Sequence, residues 1–238
     1  MRFAVLSDIH SNCFALEAVI NEFVQYKIDR LIILGDIFGY YPWASKTYTL
    51  LMPFLGNAIA IKGNHDQLLL EIHPPSPEPS YWMAARQNEN ELKNLDPPAL
   101  KWLHSLSFSS SVTIDRRKIS LFHGTPQNAS DGRYYPDDQK DYDWFPKTNE
   151  VILLGHTHYP LLRSTQDGGL IVNPGSVGQP RDGNPMPSWC ILNTANFVFE
   201  HIRTNYNHLA AMEELKSLNW EPRSISALGK TSPGKLNF

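Results

Sequence analysis

Apolar runs alternate with helical spacings through the first quarter of the chain. Arg2 to Leu6 reads as a strand. Leu16, Val19, Ile20 and Phe23 then recur at i, i+3, i+4 and i+7, the spacing of one helix face. Leu31 to Leu34 is a short apolar run ending in glycine, as expected of a strand buried on both faces. Ala44 to Leu55 reads as a helix with Tyr48, Leu51, Met52 and Leu55 on one side, and Ala58 to Ile61 as a third strand. A β-α-β-α-β order implies a parallel sheet with helices packed on it.

Further along, four prolines between His73 and Ser80 mark a loop, with helical segments after it. Asp96-Pro97-Pro98 places a cap and a first-turn proline at the start of a helix through Leu106. Ser110–Ile114 and Ile119–Phe122 flank Asp115–Lys118 as a hairpin. Residues 125–148 are polar and aromatic without a clear period, and Val151 to Leu154 is another buried strand. Short strands are expected at 160–164, 169–172, 188–194 and 196–203, and a helix from Tyr206 to Leu218. No repeat or composition break divides the chain, so residues 1–238 are expected to form one domain with a mobile tail from about Lys230.

Composition narrows the classes. Apolar residues make up 42 % and charged residues 19 %, ordinary values for a globular chain. A formal net charge of −3 disfavours nucleic acid as a partner, so local charges must attract an anionic ligand. No apolar run approaches the ~20 residues that span a bilayer, so no membrane partner is expected. The N-terminal apolar stretch is too short for a signal peptide, and Cys13 and Cys190 make no disulfide framework. The cytoplasm is therefore the expected compartment. A homo-oligomer is left open.

The informative pattern is where polar residues follow apolar runs. The first run leads to Asp8-Ile9-His10, the second to Gly35-Asp36, and the third to Gly63-Asn64-His65-Asp66. The hairpin strand ends at His123-Gly124, and the next run at Gly155-His156-Thr157-His158. Ligands in open α/β sheets bind beyond the carboxyl ends of the strands, so five segments can reach one sheet edge. Carboxylate, imidazole and amide donors without thiolate suit a pair of borderline divalent ions such as Mn, Fe, Zn, Co or Ni. His73, His104, His201 and His208 fall outside this set and are read as surface or packing residues.

As a set, these motifs resemble the calcineurin-like metallophosphoesterases over residues 5–183. Gly39-Tyr40 with Pro42, His123-Gly124-Thr125-Pro126, and the run from Asn173 to Asp182 are similar to its small prokaryotic phosphodiesterase-like branch. The resemblance implies an α/β fold, a four-layer α/β/β/α sandwich. It implies a first metal on Asp8, His10, Asp36 and His158, and a second on Asp36, Asn64, His123 and His156, bridged by Asp36. It implies that a bridging hydroxide attacks phosphorus in line, that His65 faces the leaving group, and that Asp66 is the carboxylate beside it. Arg181 and Tyr40 are the candidate substrate contacts.

The departures shape the choice of substrate. Ser/Thr protein phosphatases carry Arg-Gly after the second motif and Arg before the Gly-Asn-His of the third. Tyr40-Tyr41 and Lys62 stand there instead, so two phosphate-gripping guanidinium forks are missing. Tyr41 is expected to narrow the entrance, and Tyr40, Tyr41 and Trp43 to meet an organic ester group. The reading is a metal-dependent phosphodiesterase acting on a small phosphoester. The alternatives are a phosphomonoesterase, a dinucleoside-polyphosphate or phosphoprotein phosphatase, and a non-catalytic protein-binding scaffold. The loop 173–182 reads as mainly a structural turn, and Tyr134, Tyr135, Tyr142, Trp144 and Phe145, with Trp82, as packing rather than base-stacking residues.

Overall fold

The computed structural model describes residues 1–71 and 95–234. The expected loop from His73 to Ser80, the segments after it, Trp82 and the last four residues lie outside the described residues.

Two five-stranded mixed sheets face each other. The first is built from β1 (Arg2–Leu6), β2 (Arg30–Leu34), β3 (Ile59–Ile61), β9 (Ser188–Asn193) and β10 (Val198–Arg203), in the order β10-β9-β1-β2-β3. β1, β2 and β3 are parallel, and β9 and β10 run antiparallel to extend the sheet. The second holds β4 (Ser109–Ile114), β5 (Arg117–Phe122), β6 (Glu150–Leu154), β7 (Pro160–Ser164) and β8 (Leu170–Pro174), in the order β4-β5-β6-β8-β7. Here β5, β6 and β8 are parallel, with antiparallel strands at both edges.

The continuous apolar runs follow from burial on both faces. Phe3, Val5, Ile32, Leu34 and Ile61 meet Ile119, Leu121, Val151, Leu153 and Val172 between the sheets. Ala4, Leu6, Leu31 and Ile33 point the other way, against α1 (Cys13–Asn21), α2 (Phe23–Tyr26), α3 (Ala44–Leu55) and α5 (Pro97–Ser105). The outer face of the second sheet is covered differently among the described residues. Tyr134, Tyr142, Trp144 and Phe145 pack on Ile152, Leu154, Leu161 and Ile171, and residues 125–149 contain no helix. The segment without a period is thus a lid of aromatic rings, and Arg163 ties it down through Tyr134 Oη and the carbonyls of Pro136 and Asp138.

Several local expectations shift. Met52 is 56 % exposed, and α3 instead buries Ala44, Thr47 and Leu51. Asp96 stands at the N-cap of α5 but makes no side-chain cap bond; its carbonyl accepts from Ala99 and Leu100. The hairpin turn is only Asp115-Arg116, because Ile114 pairs with Arg117. Two helices close the chain, α6 (His208–Ser217) and α7 (Pro222–Leu228), and only the first is visible as a periodic stretch. The described part of the tail is pinned: Pro233 bridges to Asp182, and Gly234 N–H donates to the Arg181 carbonyl at 2.7 Å. His104 is exposed, and His201 lies 2.8 Å from the Asn173 carbonyl through Nε2.

Candidate metal centre

The five polar segments meet where the carboxyl ends of both sheets converge, so two sheet edges contribute rather than one. Hydrogen bonds continue the β1–β2 pairing past the strands, with Asp8 N–H on the Gly35 carbonyl (3.1 Å) and His10 N–H on the Asp36 carbonyl (2.9 Å). The second sheet is stitched likewise by Gly155 N–H on the His123 carbonyl (2.9 Å). The loop 173–182 braces them from the side: Ser176 Oγ and Gly178 N–H both donate to the Asp8 carbonyl, at 2.7 and 3.0 Å. Its hydrogen bonds are those of a structural turn.

Backbone strain is concentrated here. Asp8, His10, Asp36, His156 and His158 all have φ between 48° and 64°, a region that non-glycine residues rarely occupy. Such strain persists only where the surroundings over-determine it, and it clusters at functional sites. Gly63 is needed for another reason, since a Cβ there would collide with the Asp36 carboxylate.

Each donor is aimed by a neighbour. Asp8 Oδ2 accepts from Ser7 Oγ (2.6 Å) and His156 N–H (3.1 Å), whereas Oδ1 has no hydrogen-bond partner although buried. Asp36 Oδ1 accepts from His65 N–H at 2.8 Å, and its Oδ2 lies 3.7 Å from His10 Nε2 and 3.4 Å from His123 Nε2. His123 Nδ1–H donates to the Leu34 carbonyl (2.8 Å) and His158 Nδ1–H to the Gln179 carbonyl (2.6 Å). Those bonds put a ring proton on Nδ1 and turn Nε2 toward the cluster. Asn64 Oδ1 lies 3.1 Å from His123 Nε2.

This donor set fits a cation. His10 Nε2 and His158 Nε2 are 3.1 Å apart, with Asp8 Oδ1 3.9 and 3.3 Å away. Imidazole and carboxylate donors this close can share one ion. Asp8 Oδ1, His10 Nδ1 and His156 Nε2 are buried polar atoms without partners, a costly arrangement in the absence of a ligand. Among the described residues, three groups have donor atoms close enough for one ion: Asp8, His10 and His158; His10, Asp36 and His65; and Asp36, His123 and His156.

The electrostatics agree. Burial, which disfavours ionisation, is outweighed at Asp8 and Asp36 by attraction to the surrounding histidine rings, so both carboxyls fall below the usual range. Burial pushes His10, His65, His156 and His158 down. His123 moves the other way: burial opposes its proton, but Asp36 raises it to about 10.

The remaining candidates divide. Asp66 is buried and accepts from the N–H groups of Gly63 (2.9 Å), Phe38 (2.9 Å) and Ile37 (3.2 Å). It caps α4 (Asn64–Leu70) and ties that helix to the loop after β2. The Tyr40 ring packs 4.6 Å from both the His10 and His65 rings, and Arg181 Nη2 donates to Tyr40 Oη at 3.4 Å. Tyr41 and Trp43, expected at the entrance, are buried instead against α6 and α7, with Tyr41 Oη donating to the Ser224 carbonyl and Trp43 Nε1 to Glu214. The C-terminal helices, invisible to motif reasoning, draw these rings inward. Lys62 Nζ lies 5.1 Å from the centre of the Phe108 ring and does not replace the missing arginine. Ser7, Gln179 and the Leu34 carbonyl went unnoticed in the sequence; a carbonyl acceptor leaves no residue signature.

Residues 1–196 match the family model described as the calcineurin-like phosphoesterase superfamily domain. The chain is 31 % identical to MJ0912 of Methanocaldococcus jannaschii over 231 residues, covering 89 % of this chain and 90 % of that protein. It is 28 % identical to phosphodiesterase YfcE of Escherichia coli strain K12 over 200 residues, covering 78 % and 84 %. The crystal structure of a metallophosphoesterase from Sphaerobacter thermophilus superposes with a TM-score of 0.77 at 24 % identity, covering 97 % of this chain and 99 % of that one. The chain belongs to the calcineurin-like phosphoesterase superfamily, as a phosphoric ester hydrolase.

Proposed function

We propose that the protein is a phosphodiesterase working through a dinuclear metal centre. The observation that carries the reading is Asp36 Oδ2, poised between His10 of one donor group and His123 of the other. One ion would be held by Asp8, His10, Asp36 and His158, the second by Asp36, Asn64, His123 and His156. Held there, such ions would supply the positive charge that activates a water and neutralises the phosphoryl oxygens during an in-line displacement. Ser7 fixes Asp8 so that Oδ1 faces the cluster. His65, whose backbone holds Asp36, donates a proton to the departing oxygen. Asp66 keeps the start of α4 in register with residues 37–38.

The diester preference is supported by the missing arginine forks and by the name of the E. coli relative. A singly charged diester needs less neutralisation than a dianionic monoester. With Mn added, bis(p-nitrophenyl) phosphate is expected to show a higher kcat/KM than p-nitrophenyl phosphate. A clear preference for the monoester moves the assignment to phosphomonoesterase. Turnover of neither, with metals bound, reopens the scaffold reading or points to a substrate too specific for the model esters.

A further inference from the structure

One guanidinium reaches the histidine cluster from an unexpected direction. Arg181 Nη2 donates to Tyr40 Oη at 3.4 Å and to Gln179 Oε1 at 3.2 Å. Both partners touch the site. The Tyr40 ring lies on His10 and His65, and the Gln179 carbonyl accepts from His158 Nδ1–H.

The Arg181 charge has no counterpart. Arg203 pairs with Asp182, but Arg181 forms no ion pair among the described residues. Its side-chain partners are two neutral oxygens. A half-buried guanidinium without a carboxylate beside the cluster is free to take an anion. The planar fork suits phosphate oxygens.

The backbones on either side of this contact are gripped by the C-terminal segment, beyond the residues matched by the family model. Gly234 N–H donates to the Arg181 carbonyl at 2.7 Å, and Trp220 Nε1 donates to the Tyr40 carbonyl at 2.8 Å. Gln179 Nε2 also donates to Tyr41 Oη (3.1 Å), locking the side chain that orients Arg181.

We propose that Arg181, held by Tyr40 and Gln179 and anchored by the C-terminal segment, binds the anionic oxygens of the substrate's phosphoryl group. This rests on the phosphoesterase reading of the same site. The test compares Arg181→Gln and Arg181→Lys with the unaltered protein in Mn. It reads kcat and KM on both p-nitrophenyl esters, the Kd of inorganic phosphate by calorimetry, Mn per chain, and Tm. Arg181→Gln is expected to raise KM and the phosphate Kd about 10- to 100-fold, the range for a hydrogen bond to a charged group. The loss should be larger for the dianionic monoester, with Mn content and Tm retained. Arg181→Lys, which keeps a charge but loses the fork, should recover part of it. Unchanged KM and phosphate Kd in Arg181→Gln would overturn the proposal. So would equal losses in both variants accompanied by lower Tm and lost Mn, because that is the signature of a structural residue. If the unaltered protein hydrolyses neither ester, the phosphoesterase reading fails, and phosphate affinity still decides the role of Arg181.

Discussion

His65 carries the sharpest question at the scale of single residues. It is close enough to Asp36 and His10 to share an ion with them, yet the proposed reaction needs it at the leaving group. Its backbone N–H already holds Asp36 Oδ1, which sets the bridging carboxylate whatever the side chain does. Replacing the side chain therefore separates the two roles. His65→Ala should keep its Mn, measured by elemental analysis, and lose turnover by about 10²–10⁴-fold on esters with poor leaving groups. The loss should shrink as the leaving group improves, since a good one departs without a proton. A loss that is the same across the series, or is accompanied by loss of Mn, removes the acid role. Asp66 illustrates the limit of motif reasoning at this scale. Its position beside His65 suggests an electrostatic partner, but three backbone N–H groups occupy its carboxylate. Burial and the nearby charge of Asp36 also push it up to about 7, and those same N–H bonds oppose the rise.

The legible elements are those whose burial writes a period into the sequence. β1, β2 and β6 are apolar without a break because they are covered on both faces, and α3 spans the residues its pattern indicates. α7 was not foreseen: its seven residues bury only Ser224, Ile225 and Leu228, too few for a repeat to show. The β4–β5 hairpin allows a direct check of local physics. Asp115 and Arg116 sit at φ 48° and 65°, the signs a two-residue primed turn requires. Arg116 is exposed and has a Cβ that this region penalises. Arg116→Gly should therefore stabilise the protein by about 0.5–1 kcal/mol despite the added chain entropy. Urea unfolding reads the change, and a lower midpoint at unchanged slope would show that the Arg116 side chain contributes more than its backbone strain takes away.

Across the whole molecule, the centre couples two sheets whose facing side chains are mostly apolar. Asp8, His10 and Asp36 come from the first sheet, and His123, His156 and His158 from the second. Any ion bound there links both halves of the folded state and has no comparable site in the unfolded chain. Mn at about 100 times its Kd should add ~2.7 kcal/mol per site, or roughly 5–10 °C in Tm for a chain of this length. A chelator should reverse the gain. Asp36→Asn, which weakens a ligand shared by both ions, should reduce the Mn-dependent rise more than His156→Ala does. A Tm indifferent to Mn and chelator would dissociate the cluster from metal binding.

The linear order of residues was enough to mark the candidate donors and the strands that precede them, because spacing and chemical type are written in the chain and burial on both faces leaves continuous apolar runs. It also marked the absence of arginine at the two usual positions. Three matters required the folded coordinates. Which edge the clusters share depends on how two separate sheets stack, and no local period encodes that packing. Tyr41 and Trp43 turn inward because α6 and α7, about 170 residues away, bury them through bonds such as Trp43 to Glu214. Arg181 comes to lie beside the histidine cluster because its loop folds against His158, without a carboxylate partner among the described residues, and charge balance of this kind exists only in three dimensions.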